Sequence, residues 1–508
     1  MKRLFLTLAI FLLFIGSSFA ATLNLGVASE AVSLDPYYHN ETATSSVLSN
    51  IFDTLIRFDA DYNLVPGLAT TWKALDDTTW ELKLRKGVTF HNGSLFNADD
   101  VIYSFDRVKY SDRSGFKGKV TAIESFEKKD DFTVIFRTKG AYPLFPRKVT
   151  YVRILDKEFC TDKTPEFLGT HAVGTGPYSV VKWIKGASLT LAANKSYWAG
   201  VPAFDKVVFK TLSNDSTRVA AILSNEVDLI NRVPVKDINR VKGSKNFIMK
   251  PGLRLIYLQM DHPRADSPYV TGKINPFADL RVRRAINYAI NEDNIVKYIM
   301  NEFALPAAQF QPKVVFGFDD SIKRVSYDPA KAKQLLAEAG YADGFEVVLD
   351  APNNRYINDE QIAQAVASDL AKVKIKVKVN AMPKSAYFPK VNNSDSSFNM
   401  LGWSNSDGDA SSFLDACVHT YDPDKGYGRY NGGRYSNSEV DRLIEESDVM
   451  IDQEKRLALM KKAQKIALVD EQNIIPLHYQ VDLYAYNNKI TFKPRIDSHL
   501  VVFDMGKK

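Results

Sequence analysis

The chain has 508 residues, 45% of them hydrophobic and 25% charged, with a formal net charge of +6. That is ordinary globular usage, too long for one core, and length alone predicts about three domains. The positive excess is mild for such a length and excludes nucleic acid as an expected partner.

Residues 1–20 read as a secretory signal peptide: Lys2 and Arg3 are basic, Leu4 to Ile15 apolar, and Ser18-Phe19-Ala20 offers small residues for cleavage. The apolar run is short for a membrane span. No cysteine follows it to carry a lipid anchor, so cleavage after Ala20 predicts a soluble, exported chain. Removing Lys2 and Arg3 leaves 64 basic residues against 60 acidic ones, a formal charge of +4.

Alternation predicts a first strand over Leu23–Val27, then a turn at Ser33-Leu34-Asp35-Pro36 and a polar loop from Tyr37. Ser46–Phe58 reads as a helix with Val47, Leu48, Ile51, Phe52, Leu55 and Ile56 on its apolar face. Thr79–Leu84 is a strand, and Asn97-Ala98-Asp99-Asp100 starts a helix. Strands follow near Ser125 and over Phe132–Arg137. Gly174-Thr175-Gly176-Pro177-Tyr178 is a tight turn into a strand. It lacks the third glycine of a dinucleotide loop and the Lys-Ser/Thr end of a phosphate loop. Val207–Phe209 is a strand, Ser213–Leu223 a helix, and Asp279–Ile290 another. Asp328-Pro329 to Gly340 carries an Asp N-cap, Pro at the first helical position and Gly just past the end. Phe345–Leu349 is a strand and Asn358–Lys372 a helix. Lys372, Lys374, Lys376 and Lys378 then alternate with apolar residues, as on a strand whose lysine face guards a sheet edge. Asp441–Val469 reads as helical and Ile474–Tyr486 as strand.

Between the lysine stretch and Asp441–Val469 lies Phe398–Leu414. A buried strand ends at Gly402-Trp403, and a polar loop, Ser404 to Ser412, carries Asp407 and Asp409 around Gly408. An indole and a short acidic, amide-rich loop suit a ligand lip, and they also suit a plain surface turn. Cys160 and Cys417 make no disulfide framework and read as a possible pair or as two buried thiols. The seven histidines lack metal-ligand spacing, and no hydrolase, metalloprotease or redox motif is present. No cofactor is expected.

Several stretches together give the chain a family likeness: Trp80–Asp106, Gly174–Tyr178, Asn194–Trp198, Leu280–Ile290, Asp328–Phe345 and Gly402-Trp403. In this order the chain resembles the extracellular solute-binding proteins of ABC importers, in the family that includes dipeptide- and oligopeptide-binding proteins. The resemblance implies an α/β, two-lobed periplasmic-binding-protein (type II-like) fold with a hinge and an extra subdomain on the first lobe. Lobe I would take residues 21–267 and 480–508, with the subdomain at about 58–170, and lobe II residues 268–479. It also implies a periplasmic, non-enzymatic, monomeric binder that closes on a small peptide-like ligand and delivers it to ABC importer membrane subunits. In dipeptide-binding relatives an Arg holds the ligand carboxylate, and Arg355 matches it within Asn353-Asn354-Arg355-Tyr356. The relatives' amine-holding Asp does not match: Ser406 stands there, and Asp407 or Asp409 would have to replace it. Otherwise Asn405 and Ser406 would serve a ligand without an ammonium group. The implied ligand set is therefore Tyr37, Asn354, Arg355, Trp403, Asn405, Ser406, Asp407 and Asp409. Open alternatives are a sugar-like or opine-like solute and, from another class, a secreted hydrolase.

Overall fold

The computed structural model describes residues 21–38, 41–265, 267, 269–271 and 274–508. The expected signal segment, His39 and Pro268 lie outside them. Among the described residues no helix is long and apolar enough to cross a membrane.

Local signals set most elements. Asp328 caps the helix Pro329–Glu338 by accepting from the Lys331 amide, and Gly340 follows with φ 86°. Asn97 and Asp100 form a capping box at the helix Ala98–Tyr110. Asn214, Asp279 and Asp452 each cap the following helix by accepting from a first-turn amide.

One mixed sheet of eleven strands spans the molecule. From edge to edge it runs Lys376–Met382, Glu346–Pro352, Phe398–Ser404, Asn246–Met260, Ile474–Tyr486, Leu229–Asn231, Thr22–Val27, Lys206–Thr211, Ser188–Ala193 and Tyr178–Ile184, with Ala304–Pro306 added beside Ile474–Tyr486. Its two long central strands tie two packed bodies together. Asn246–Pro251 pairs with Val481–Tyr486, and Leu255–Gln259 pairs with Ile474–Tyr479, with a register shift between Pro251 and Leu255. On one side of the shift, Tyr484 joins the core of Leu23, Leu25 and Phe209. On the other, Ile256, Leu258 and Met260 join the core of Leu349, Val366 and Phe398. This is the two-lobed α/β fold that the resemblance implies. A four-stranded antiparallel sheet, Ala69–Ala74, Thr79–Leu84, Thr133–Thr138 and Ile123–Asp130, packs on the first body.

Three sequence expectations are corrected. Ser46–Phe58 is not one helix: a helix covers Thr42–Leu48, and Ile56–Phe58 is a strand paired with Leu64–Pro66. The apolar residues there are buried as expected, but the backbone turns because Asn50 and Ile51 receive the glycine-rich segment. The amides of Gly176 and Tyr178 donate to the Ile51 and Asn50 carbonyls, each at 2.9 Å, and a Cβ on Gly176 would sit 2.6 Å from the Ile51 oxygen. Asp441–Val469 is two helices, Ser438–Val449 and Gln453–Gln464, because Asp452 caps a new start. The lysine strand begins at Lys376, not Lys372, since Lys374 takes φ 67°. It is an edge strand, as its lysines suggest. Cys160 and Cys417 are buried free thiols.

Candidate functional site

A cavity of about 1790 Å³ opens where the two long strands cross. Its floor is Gly252, Leu253 and Arg254 of one strand and Gln480 to Leu483 of the other. Ser45 and Ser46 face it from the first body; Asn354, Arg355, Tyr356, Ser404 and Ser406 face it from the second.

The strand period decides which side chains arrive there. Residues 256, 258 and 260 point into one core, and Arg254 continues that face beyond the core into the cavity. Arg254 lies opposite Ser404, and Ile256 opposite Gly402. A Cβ on Gly402 would stand 2.6 Å from the Tyr356 ring, so glycine is needed for the ring to lie over the strand. The Gly402 amide donates to the Tyr356 hydroxyl at 2.9 Å and fixes it. The buried ring in turn carries two guanidiniums: Arg355 at 5.3 Å and Arg254 at 6.0 Å from its centroid. Asp359 orients the Arg355 segment by accepting from the Arg355 and Tyr356 amides at 2.8 and 3.0 Å.

Burial, then the neighbouring Arg355, lowers the pKa of Arg254 below the ordinary arginine value. Burial raises the carboxyl of Asp482, on the opposite strand, which the Ser498 hydroxyl engages.

Of the sequence-derived residues, Asn354, Arg355 and Ser406 reach the cavity. Asn354 is exposed, and its side-chain oxygen accepts from the Lys384 amide at 2.8 Å. Ser406 offers its carbonyl to the hydroxyls of Tyr62 and Tyr151 at 2.5 and 2.7 Å.

The other five residues are placed elsewhere. Tyr37 is buried and donates to the Arg153 carbonyl. Trp403, one residue from Gly402, falls on the opposite strand face and packs against Phe413 and Tyr430. Asn405 is buried and donates to the Phe310 carbonyl at 3.1 Å. Asp409 is buried in a two-pronged pair with Arg456 at 2.6 and 2.9 Å. Asp407 is also buried and meets Lys148 at 2.6 Å, Lys119 at 2.8 Å and the Tyr151 hydroxyl at 2.6 Å. Burial pushes its carboxyl up, but Lys148 and Lys119 outweigh this, and the net shift is well below the ordinary carboxylate value. As placed, the two carboxylates expected at the ligand amine are each satisfied by protein cations.

Sequence reasoning missed Arg254, Asp482 and Lys119. The signal for Arg254 was present: a cation after Pro251-Gly252, in phase with an apolar strand face. The other two come from distant segments and leave no local trace. Among the described residues no group of acidic, His and Cys side chains could hold a metal ion.

Comparison with known proteins bears on this geometry. Residues 63–425 match the bacterial extracellular solute-binding proteins, family 5 Middle. The dipeptide-binding protein of Escherichia coli (strain K12) is 30% identical over 447 residues, covering 82% of this chain and 81% of its own. A glutathione-binding protein of Pectobacterium atrosepticum is 30% identical over 455 residues, 87% of this chain and 85% of its own. The solved ABC transporter-associated periplasmic binding protein DppA from Helicobacter pylori, in complex with the peptide STSA, superposes with a TM-score of 0.77 at 26% identity, covering 96% of this chain and 98% of that one.

Proposed function

Since the chain belongs to the bacterial extracellular solute-binding proteins, family 5, we propose that it is a periplasmic receptor that captures a small peptide-like solute between its lobes and delivers it to an ABC importer. The observation that carries this reading is the Arg355 guanidinium, which faces the cavity beside Tyr356 and has no protein carboxylate within ion-pair distance among the described residues. An unpaired planar fork at a closing cleft suits a ligand carboxylate. Family 5 proteins are solute-binding proteins rather than enzymes and act outside the cytoplasm. Cleavage after Ala20 and a monomeric receptor complete the proposal. The boundaries expected from sequence, 21–267 and 480–508 for lobe I and 268–479 for lobe II, need one shift, because Ile256, Leu258 and Met260 pack in the second body. The register shift after Pro251 favours drawing the first crossing at Gly252–Arg254.

Mass spectrometry of solute released from the purified, denatured protein tests the reading, followed by titration of that solute. A carboxylate-bearing, peptide-like molecule recovered intact is expected, and Arg355→Ala should weaken its binding by roughly 2–5 kcal/mol. Recovery of a neutral sugar, or turnover of the solute, would count against it.

A further inference from the structure

We infer that the cavity is built for a solute with two acidic groups, the second held by Arg254 beside the Arg355 site. This rests on the peptide-like reading above and narrows it to acidic peptides, whose second carboxylate comes from a side chain.

The geometry comes first. Two guanidiniums share one aromatic platform: both lie within 6.0 Å of the Tyr356 ring centre, and both line the cavity. Among the described residues, neither guanidinium has a carboxylate within ion-pair distance or donates a hydrogen bond to another protein group. A third, Arg232, enters the same cavity from the facing loop, and among the described residues it too has no carboxylate within ion-pair distance. Its backbone is left-handed, with φ 50°, a conformation that non-glycine residues adopt at a cost. Its carbonyl is fixed by the Arg218 guanidinium at 2.8 Å. Neighbouring like charges repel; Arg355 and Arg232 are exposed and relieved by water, whereas Arg254 is half-buried and bears most of the cost, which closure would raise.

Nearby carboxylates offset it only in part. Asp61 is taken by Lys250 and Lys493, and Asp497 and Asp504 by Arg495. Asp482 attracts Arg254 and Arg232 without an ion pair to either, but burial raises its carboxyl and the Ser498 hydroxyl engages it, so its help is partial. Asp407, the candidate for a ligand ammonium, is held by Lys119 and Lys148. Around Tyr356 the guanidiniums of Arg254 and Arg355 are therefore left without an ion-pair partner among the described residues. A ligand with one carboxylate would leave Arg254 buried on closure with only partial help from Asp482; a second carboxylate, one side chain away, would pair it.

The test uses matched dipeptides differing by one atom group: Gly-Glu against Gly-Gln and Ala-Asp against Ala-Asn, titrated calorimetrically into the mature protein. The acidic member is expected to bind about tenfold or more tightly, the scale of one desolvated charge pair. In Arg254→Gln the acid-to-amide ratio should fall to near one, and Arg254→Lys should restore part of it, which controls for folding. Arg355→Gln should weaken both members alike. Equal binding of acid and amide by the parent, or a preference that survives Arg254→Gln, overturns the inference while leaving a peptide receptor. If no dipeptide binds, the peptide-like reading fails, and this inference fails with it.

Discussion

At the scale of single residues, burial sets charge states that pH can reveal. Glu292 starts a short helix and is almost fully buried. One carboxylate oxygen receives Arg324 at 3.0 Å, while the other has no partner. Burial outweighs that help and the nearby Asp293 adds to it, so the carboxyl is pushed up to about 7 from its ordinary 4.5. A raised carboxylate means that the folded state holds a proton the unfolded state has released. The stabilisation is therefore fully present below pH 4.5 and is lost as pH rises through about 7. Glu292→Gln removes this titration. Relative to the parent, it should gain on the order of 1–3 kcal/mol between pH 4.5 and pH 8. Denaturant midpoints at both pH values give the comparison; a variant that tracks the parent across the range would contradict the assignment. Arg254 gives the complementary lesson. Its strand was not read from the sequence, because Leu255-Ile256-Tyr257-Leu258 is apolar on both faces, and its freedom from ion pairs depends on Tyr356, Asp482 and Arg232 arriving from three other segments.

At the scale of elements, the loop after Trp403 is the instructive case. The sequence shows a strand ending in Gly-Trp and an acidic loop, and both are present at Phe398–Ser404 and beyond. What it cannot show is that Lys119, Lys148 and Tyr151, over 250 residues upstream, claim Asp407. Arg147 also donates to the Asp407 carbonyl at 3.2 Å. The loop is thus stitched to the first body's subdomain. Helices with complete local signals, such as Pro329–Glu338, were legible to the residue. The apolar run at Ser46–Phe58 was misread because helical spacing is also produced by a turn whose residues are all buried against another segment. For Asp407, removing the charge leaves two buried ammonium groups facing each other. Asp407→Asn should therefore destabilise the fold by about 3–5 kcal/mol. Adding Lys119→Met should recover part of that loss, because the second cation is then gone. Equal stability of Asp407→Asn and the parent in urea titration would show that the cluster is not coupled.

At the scale of the whole molecule, two bodies are joined by long strands whose pairing slips between Pro251 and Leu255. Ladder hydrogen bonds resist bending where register is continuous, so a shift in register is where bending costs least. Beside it lies a small apolar cluster, Tyr62, Leu253, Val315 and Ile496, drawn from both sides of the crossing. With the Asp407 contacts on the same flank, this fixes the bodies near the crossing and leaves the distant rims of the cavity free to approach. A cavity of about 1790 Å³ is far larger than a dipeptide needs, so closure must remove much of that space before the ligand is dry. On the proposed reading, burying the ligand carboxylates in the closed form would strengthen their pairing with Arg355 and Arg254 and couple binding to shape. An acidic dipeptide at a hundred times its dissociation constant should raise unfolding stability by about 2.7 kcal/mol. Small-angle scattering of the same sample should give a smaller radius of gyration than the free protein. If the stabilisation appeared without compaction, the ligand would be binding to one body alone, and the strand crossing would be a rigid tie rather than a hinge.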